Sequence, residues 1–442
     1  MGEVSRMSFR KAFLIIFFLA LPAGCAPGVD YHALENQMRT GQCDGATGYV
    51  EGMKDKYGNN QRLIFHMDMG MLSLYCGDYR KSTANFQAAE DIASDLWTQS
   101  VTREGVSFLT NDYTKPYAGE DFEKVMINLF SSISFALDGD YESALVEARK
   151  LNEFLVEINE KYEKKSIYRE DAFARYMSAM LYEAYDPRNI QNLDSATIDY
   201  ELGYPVYGDY YEQYGTPVPE VFTADYFRVA EAAGRLDDAR AKRKQRDWLR
   251  HGKARAMGRI VLLHLSGKAP VKVEEAIVAH APFGPIKVAF PRFVSPSSGC
   301  QASSLLAERD DGSSFSSGTE LVEDLSAIAM KNLDDRRGRV VAKAIARAVA
   351  KQAAINAISN QGNDKGDKLA LKLLGRVVAA ATEKADTRSW RTLPDRIYMT
   401  RMFVPEGSYN IKADFCGNSR ALADNVRIEA GQTRFVLLQD VY

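Results

Sequence analysis

The sequence predicts an α+β protein, with an N-terminal all-α helical-repeat part followed by an antiparallel β-sandwich-like part that carries an inserted helical hairpin. Three observations lead to this. Gly-Asp-Tyr stands at 77–79 and at 139–141 in the front half, within stretches whose apolar residues recur at helical spacing. From Ile260 onward, short apolar or alternating runs closed by Gly, Pro and Ser replace that spacing. Between those runs, at about 319–385, helical periodicity returns. At 442 residues the chain exceeds one typical core. The expected division is a leader at 1–24, a helical part at 25–244, a linker at 245–257 and a β-rich part at 258–442.

Arg6, Arg10 and Lys11 form a positive start, and Ala12 to Leu21 is an apolar run too short to span a bilayer comfortably. Leu21-Pro22-Ala23-Gly24-Cys25 follows and resembles the bacterial lipobox, with Pro22 where Leu is usual. That resemblance implies lipidation of Cys25, and Ala26 after it implies sorting to the outer membrane. The alternative is ordinary signal cleavage with Cys25 as a bystander. Of 5 cysteines, Cys43, Cys76, Cys300 and Cys416 then remain. In an oxidising compartment this even set suits disulfides. Pairing within each half, Cys43 with Cys76 and Cys300 with Cys416, is the simplest connectivity; buried free thiols are the alternative.

The front half, about Asp30 to Lys244, reads as repeats. Gly70 is followed by Gly77-Asp78-Tyr79, then Ser82, Phe86 and Ala89. This is tetratricopeptide spacing, in which small residues let two antiparallel helices approach and Gly-Asp makes the turn. A second unit has Gly139-Asp140-Tyr141, then Ala144 and Ala148. A third, Asp171 to Tyr214, has a longer turn near Pro187 and Asn189, and a fourth runs from Glu220 to Arg243 through Gly234-Arg235. Ala241 to Arg255 is rich in Lys and Arg and reads as a solvated helix end or linker, with contact to a membrane surface as the alternative.

In the back half, Ile260 to Leu265 reads as a buried strand, and Ile286 to Phe293 as a strand that Pro291 assigns to an edge or end. Ser295 to Ser317 is expected to be loop around one short strand. Asn360 to Asp367, with Gly362 and Gly366, divides the helical stretch in two. Strands are expected at Arg396 to Val404 and Ser408 to Phe415. Ala430-Gly431-Gln432, between Asn425–Ile428 and Arg434–Leu438, carries a hairpin signal.

Composition restricts the function classes. A formal net charge of -3 lacks the basic excess of a nucleic-acid binder. No nucleophile elbow, phosphate loop, dinucleotide turn or His-Glu-x-x-His is present, and the 5 histidines are scattered. No catalytic residue, metal or cofactor is therefore assigned. Tyr200, Tyr204, Tyr207, Tyr211 and Tyr214 recur at helical spacing. They suit an aromatic groove for a peptide or glycan, or packing against a neighbouring repeat, with Pro205 expected to kink the segment. Arg339, Lys343, Arg347 and Lys351 are spaced by four beside an apolar face. This basic amphipathic helix could meet anionic lipid or an acidic partner, or be the solvated edge of a packed helix. The charged junction Glu383 to Trp390 suits a buried ion pair that fixes helix to sheet. Val404-Pro405-Glu406-Gly407-Ser408 reads as a turn into a strand, of the kind found in small surface-associated β-sandwich modules.

Taken together, Gly70, Gly77-Asp78-Tyr79, the stretch Asp171 to Ala184, Lys343 to Lys351 and Glu383 to Pro394 resemble a little-characterised family of bacterial tetratricopeptide-containing outer-membrane lipoproteins. The resemblance implies an envelope location and a genomic association with outer-membrane activators of peptidoglycan synthases. The expected function is a non-catalytic periplasmic scaffold. It would be anchored through lipid on Cys25 and offer the concave repeat surface to a protein partner in envelope or cell-wall assembly. Direct glycan or peptidoglycan binding is the alternative.

Overall fold

The Gly-Asp pairs explain how the front half folds. In the computed structural model, Gly77 and Gly139 adopt φ of +77° and +86°. The next amide reaches back five residues, Asp78 N–H to Ser73 O and Asp140 N–H to Phe135 O, both 2.9 Å. This closes the preceding helix with a Schellman turn, which needs a residue that tolerates left-handed φ. The same aspartates then cap the following helix, accepting from Lys81 N–H at 3.1 Å and Ser143 N–H at 3.0 Å. Gly-Asp is thus a stop followed at once by a start. Gly234, at φ +72°, closes a third helix in the same way, with Arg235 N–H to Ala230 O at 2.8 Å.

The structure describes residues 29–40, 42–103, 115–161, 170–235, 251–281, 284–296, 299–360 and 365–441. The expected leader, Cys25, residues 236–243 of the expected fourth repeat and 245–250 of the expected linker lie outside them. Met1–Gly58 and Asn59–Tyr442 form two separate compact units. The first contains α1 (Tyr31–Arg39), α2 (Cys43–Gly52) and α3 (Lys54–Tyr57). Asp30 caps α1 by accepting from the His32 and Ala33 amides, and Leu34, Met38, Ala46 and Val50 are buried.

The second unit opens with α4 (Arg62–Tyr75), α5 (Tyr79–Arg103), α6 (Asp121–Asp138), α7 (Tyr141–Lys161), α8 (Ala172–Tyr185), α9 (Ile190–Tyr214) and α10 (Glu220–Ala232), each packed on the next. A Cβ on Gly70 would lie 2.4 Å from the Phe86 ring, so glycine sets how closely α4 and α5 approach. Ser82 Oγ donates to Gly70 O at 2.8 Å. In the second pair the serine has changed helix, and Ser132 Oγ donates to Ala144 O at 2.8 Å. Pro205, expected to spoil the tyrosine helix, sits inside an unbroken α9.

The rest of this unit comprises α11 (His251–Ala254), β1 (Met257–Ser266), β2 (Val271–Ala281), β3 (Gly284–Val294), β4 (Ser303–Glu308), β5 (Ser314–Gly318), β6 (Glu320–Asp324), α12 (Leu325–Ser359), α13 (Lys365–Thr382), β7 (Arg396–Pro405), β8 (Gly407–Phe415), β9 (Asn418–Ile428) and β10 (Thr433–Asp440). One sheet has the order β10-β1-β7-β6, another β5-β4-β8-β9, and β2-β3 form a separate ribbon. The chain is therefore mixed α+β with mostly antiparallel sheets.

Several expectations need correction. The helical insert starts at Leu325, because 320–324 is strand β6 paired with β7. The Ser-rich stretch before it holds two strands, β4 and β5, and β2 was not foreseen. The Ala430-Gly431-Gln432 turn does not make a hairpin. β9 pairs with β8, whereas β10 crosses to the other sheet and runs parallel to β1. Parallel pairing needs a long excursion between its strands, and here most of the back half supplies it.

The period of two along β1, β7 and β10 sends alternate side chains to two different cores. Ile260, Leu262, Met402, Val404, Val436 and Leu438 join Leu305, Ile411 and Ile428 in one cluster between the two four-stranded sheets. The opposite face meets the helices, where Phe435 lies against Tyr141 and Arg401 reaches Glu183. A strand buried on both faces reads as the continuous apolar run seen at Ile260 to Leu265. A disulfide joins Cys300 to Cys416. Cys43 and Cys76 are each disulfide-bonded as well.

Candidate functional site

The helix-facing side of the β10-β1-β7-β6 sheet carries charge where apolar residues are expected. Arg259 on β1 and Arg401 on β7 are both 5% exposed, and Arg228 on α10 is 3% exposed. All three converge on the fully buried Glu183 of α8. Arg228 Nη1 lies 2.6 Å from its carboxylate, Arg401 Nη1 2.8 Å and Arg259 Nη1 3.2 Å. Tyr200 OH donates to the same carboxylate at 3.0 Å. Asp225 receives Arg228 at 2.9 Å, Arg401 at 3.0 Å and the Tyr176 hydroxyl at 2.8 Å. Burial would push Glu183 up, but Arg228 and Arg401 outweigh it and hold the carboxyl well below the usual range. Burial, reinforced by Arg401 and Arg228 and opposed by Glu183, lowers Arg259 to about 9. Three guanidiniums thus share two carboxylates.

A cavity of about 280 Å³ opens beside this cluster, lined by Glu183, Arg228 and Arg259 and, at its exposed rim, by Arg188 and Arg255. Leu193, Pro187, Ala254 and the turn Ala430-Gly431 supply apolar wall. Arg259 also donates to Gly431 O, which ties the β9–β10 turn to the site. The Nε atoms of Arg228, Arg259 and Arg401 are buried without a hydrogen-bond partner.

A second charged centre lies where α6 meets the β2-β3 ribbon and α12. Glu120, the N-cap of α6, accepts from Lys272 and Arg336. Burial opposes its charge, but Lys272 and Arg336 prevail and depress it far below the ordinary carboxylate value. Glu123 responds in the opposite direction. Burial, with Glu120 nearby, raises it despite Lys272. Its carboxylate accepts Tyr117 OH at 2.6 Å and Trp390 N–H at 2.8 Å. Trp390, 1% exposed, then fills the space beside Phe86 and Phe130, at 6.1 and 6.2 Å between ring centres.

Tyr200 and Tyr207 are fully buried among Phe222 and its neighbours, Tyr204 and Tyr214 are half-buried, and Tyr211 is 64% exposed. The five therefore do not line one open groove, because α9 buries Tyr210 in place of Tyr211. Arg347 is not a solvated edge. It is buried and bonded to Glu383 at 2.8 Å, half-buried Lys351 bonds the same carboxylate at 2.8 Å, and Arg339 and Lys343 are exposed. The junction ion pair thus runs from Glu383 to helix α12. Gly77, Asp78, Gly139 and Asp140 make the turns described above, and Phe86, Ala89 and Ala144 are buried. Tyr79 and Tyr141 are half-buried, and Tyr141 OH donates to Thr433 O at 2.6 Å.

Sequence reasoning missed the Glu183 cluster altogether. Its members lie at 183, 225, 228, 259 and 401, with no local motif. The one available signal was charge inside apolar periodicity, as at Arg401 within β7. Among the described residues no His, Cys, Asp and Glu group is placed to hold a metal ion, and no helix is long and apolar enough to cross a membrane. A scan against protein-family models and a search of curated proteins returned no match for this chain.

Proposed function

We propose that this chain is a non-catalytic scaffold of the bacterial envelope, exported by its leader and tethered through lipid on Cys25 to the periplasmic side of the outer membrane. Its front half is read as tetratricopeptide-like, supported by the repeated Gly-Asp turns and by helices that pack in chain order. Its back half is read as sandwich-like, supported by the apolar cluster shared between two four-stranded sheets. The oxidised pair Cys300–Cys416 suits an exported protein. The resemblance to lipoproteins linked with activators of peptidoglycan synthases supplies the setting, cell-wall assembly.

The partner surface is reassigned from the one the repeats suggest. α4, α6, α8 and α10 each contact the chain's own back half: Tyr75 OH donates to Thr392 O, Phe130 lies against Trp390, and Glu183 and Asp225 both pair with Arg401. The observation that carries the reading is the α12–α13 hairpin. It leaves Ile358 and Leu369 60% exposed, Leu373 54% and Leu374 50%. Leu369 and Leu373 are one helical turn apart, and grouped exposed apolar residues mark interaction surfaces. The burial of Tyr200 and Tyr207 gives the glycan-groove alternative no support from those residues.

Mass spectrometry of the mature N-terminus tests the tether, with acylated Cys25 expected. Crosslinking in intact cells tests the surface. A specific envelope partner should be captured by the native chain and lost with Leu369→Glu plus Leu373→Glu. An unmodified Cys25, or equal capture by the variant, defeats the corresponding half of the proposal. Sedimentation with purified sacculi separates a protein scaffold, which stays in the supernatant, from a peptidoglycan binder.

A further inference from the structure

The arginine-lined cavity beside Glu183 has a charge imbalance that the fold does not use. Among the described residues, four arginines, Arg188, Arg228, Arg255 and Arg259, line it against one carboxylate, leaving three positive charges in surplus. Asp225 and Arg401 behind the wall cancel one another and leave the surplus unchanged. Glu183 cannot absorb more, since its oxygens already accept from three arginines and a tyrosine. Arg188 and Arg255 have no carboxylate partner among the described residues. Arg228 and Arg259 are more than nine-tenths buried, and each keeps an Nε without a hydrogen-bond partner. An unsatisfied buried guanidinium N–H costs on the order of 1–3 kcal/mol, so groups in this state call for a ligand or another explanation.

We infer that this cavity binds a phosphate group carried on a small molecule or headgroup. A dianion matches a surplus of three positive charges better than a monoanion does. Arginine forks also fit phosphate oxygens in pairs. At about 280 Å³ the cavity suits a phosphate with a compact substituent against Leu193 and Pro187, and does not suit a long polymer. Burial, with Arg401 and Arg228 nearby, lowers Arg259, and an anion in the cavity would offset the repulsive part of that shift. The inference goes beyond the scaffold reading and does not depend on export, lipidation or the partner surface.

The test is calorimetric titration of the full chain with inorganic phosphate at fixed ionic strength, with acetate as the monoanion control. One saturable phosphate site is expected, with acetate at least tenfold weaker. Arg188→Glu plus Arg255→Glu alters only exposed rim residues and turns the surplus into a deficit. Phosphate binding should fall at least tenfold while the thermal midpoint without ligand stays within a few degrees. Lys343→Glu plus Lys384→Glu, at the other basic cavity beside Glu120, should leave binding unchanged. Competition separates the two sources. Glycerol phosphate displacing phosphate supports a soluble ligand, and displacement by phosphatidic acid vesicles supports a lipid headgroup. The inference is overturned if the native chain shows no saturable site, if acetate binds equally, or if the second pair of substitutions abolishes binding and the first does not.

Discussion

Replacing Glu183 with Gln tests whether the helical and strand parts are held together by charge. The substitution keeps shape and removes one negative charge. The native carboxylate has guanidinium nitrogens at 2.6, 2.8 and 3.2 Å, from α10, β7 and β1. After substitution three buried arginines face Asp225 alone, and one side of the new amide donates where it must accept. Removing one partner of a buried ion pair costs about 3–5 kcal/mol, because the remaining charge stays desolvated. At about 2.1 cal/mol/K of unfolding entropy per residue, a unit of this size loses only about 1 °C of Tm per kcal/mol, so the drop is roughly 3–6 °C. Urea unfolding followed by tryptophan fluorescence gives the difference directly. Glu183→Gln combined with Arg401→Gln should cost clearly less than the two singles added, since the second change removes the stranded charge. A loss under about 1 kcal/mol, or strict additivity, refutes the claim that this cluster joins the two parts.

Glu323→Gln should stabilise the protein, most at high pH. Burial, with Asp171 and Asp324 nearby, raises this carboxyl well above its ordinary value. A raised folded-state pKa contributes stability below the unfolded value of about 4.3, which is lost as pH climbs through the folded one. Thermal melts from pH 4.5 to 8 should therefore show a gain from the variant that widens with pH. Glu183 gives the opposite sign, its contribution vanishing only as acid takes the pH below the ordinary carboxylate range. Trp390→Ala should cost about 3–5 kcal/mol by opening a cavity between α5, α6 and the junction, read as a lower urea midpoint. Gly70→Ala places a methyl 2.4 Å from the Phe86 ring, and overpacking of about 1–3 kcal/mol outweighs a helix-propensity gain near 1 kcal/mol. Gly48→Ala, with nothing within 4 Å, should gain stability in the same measurement.

How legible each feature was depends on the range of the interaction behind it. Gly77-Asp78 and Gly139-Asp140 could be read directly, because a left-handed stop and a side-chain cap are made within six residues. Leu325 to Ser359 was legible as helix, but β6 before it was not, because five residues carry too little periodicity to separate strand from helix end. The Ala430-Gly431-Gln432 turn was read correctly as a turn and wrongly as a hairpin. A turn reverses the chain locally, while the choice of sheet is made by β1, some 170 residues away.

From its residues alone, then, this chain determines where helices stop, which strands are buried on both faces, and which cysteines can bond. Those outcomes rest on backbone sterics, hydrogen bonds between near neighbours and the period of apolar side chains. Only the tertiary structure decided that the front-half helices pack on the back half, that Arg347 is buried, and that five charged residues from four elements meet in the Glu183 cluster. A lone arginine in a strand pattern is neutral evidence until packing brings a carboxylate within 3 Å, and no local rule encodes that approach.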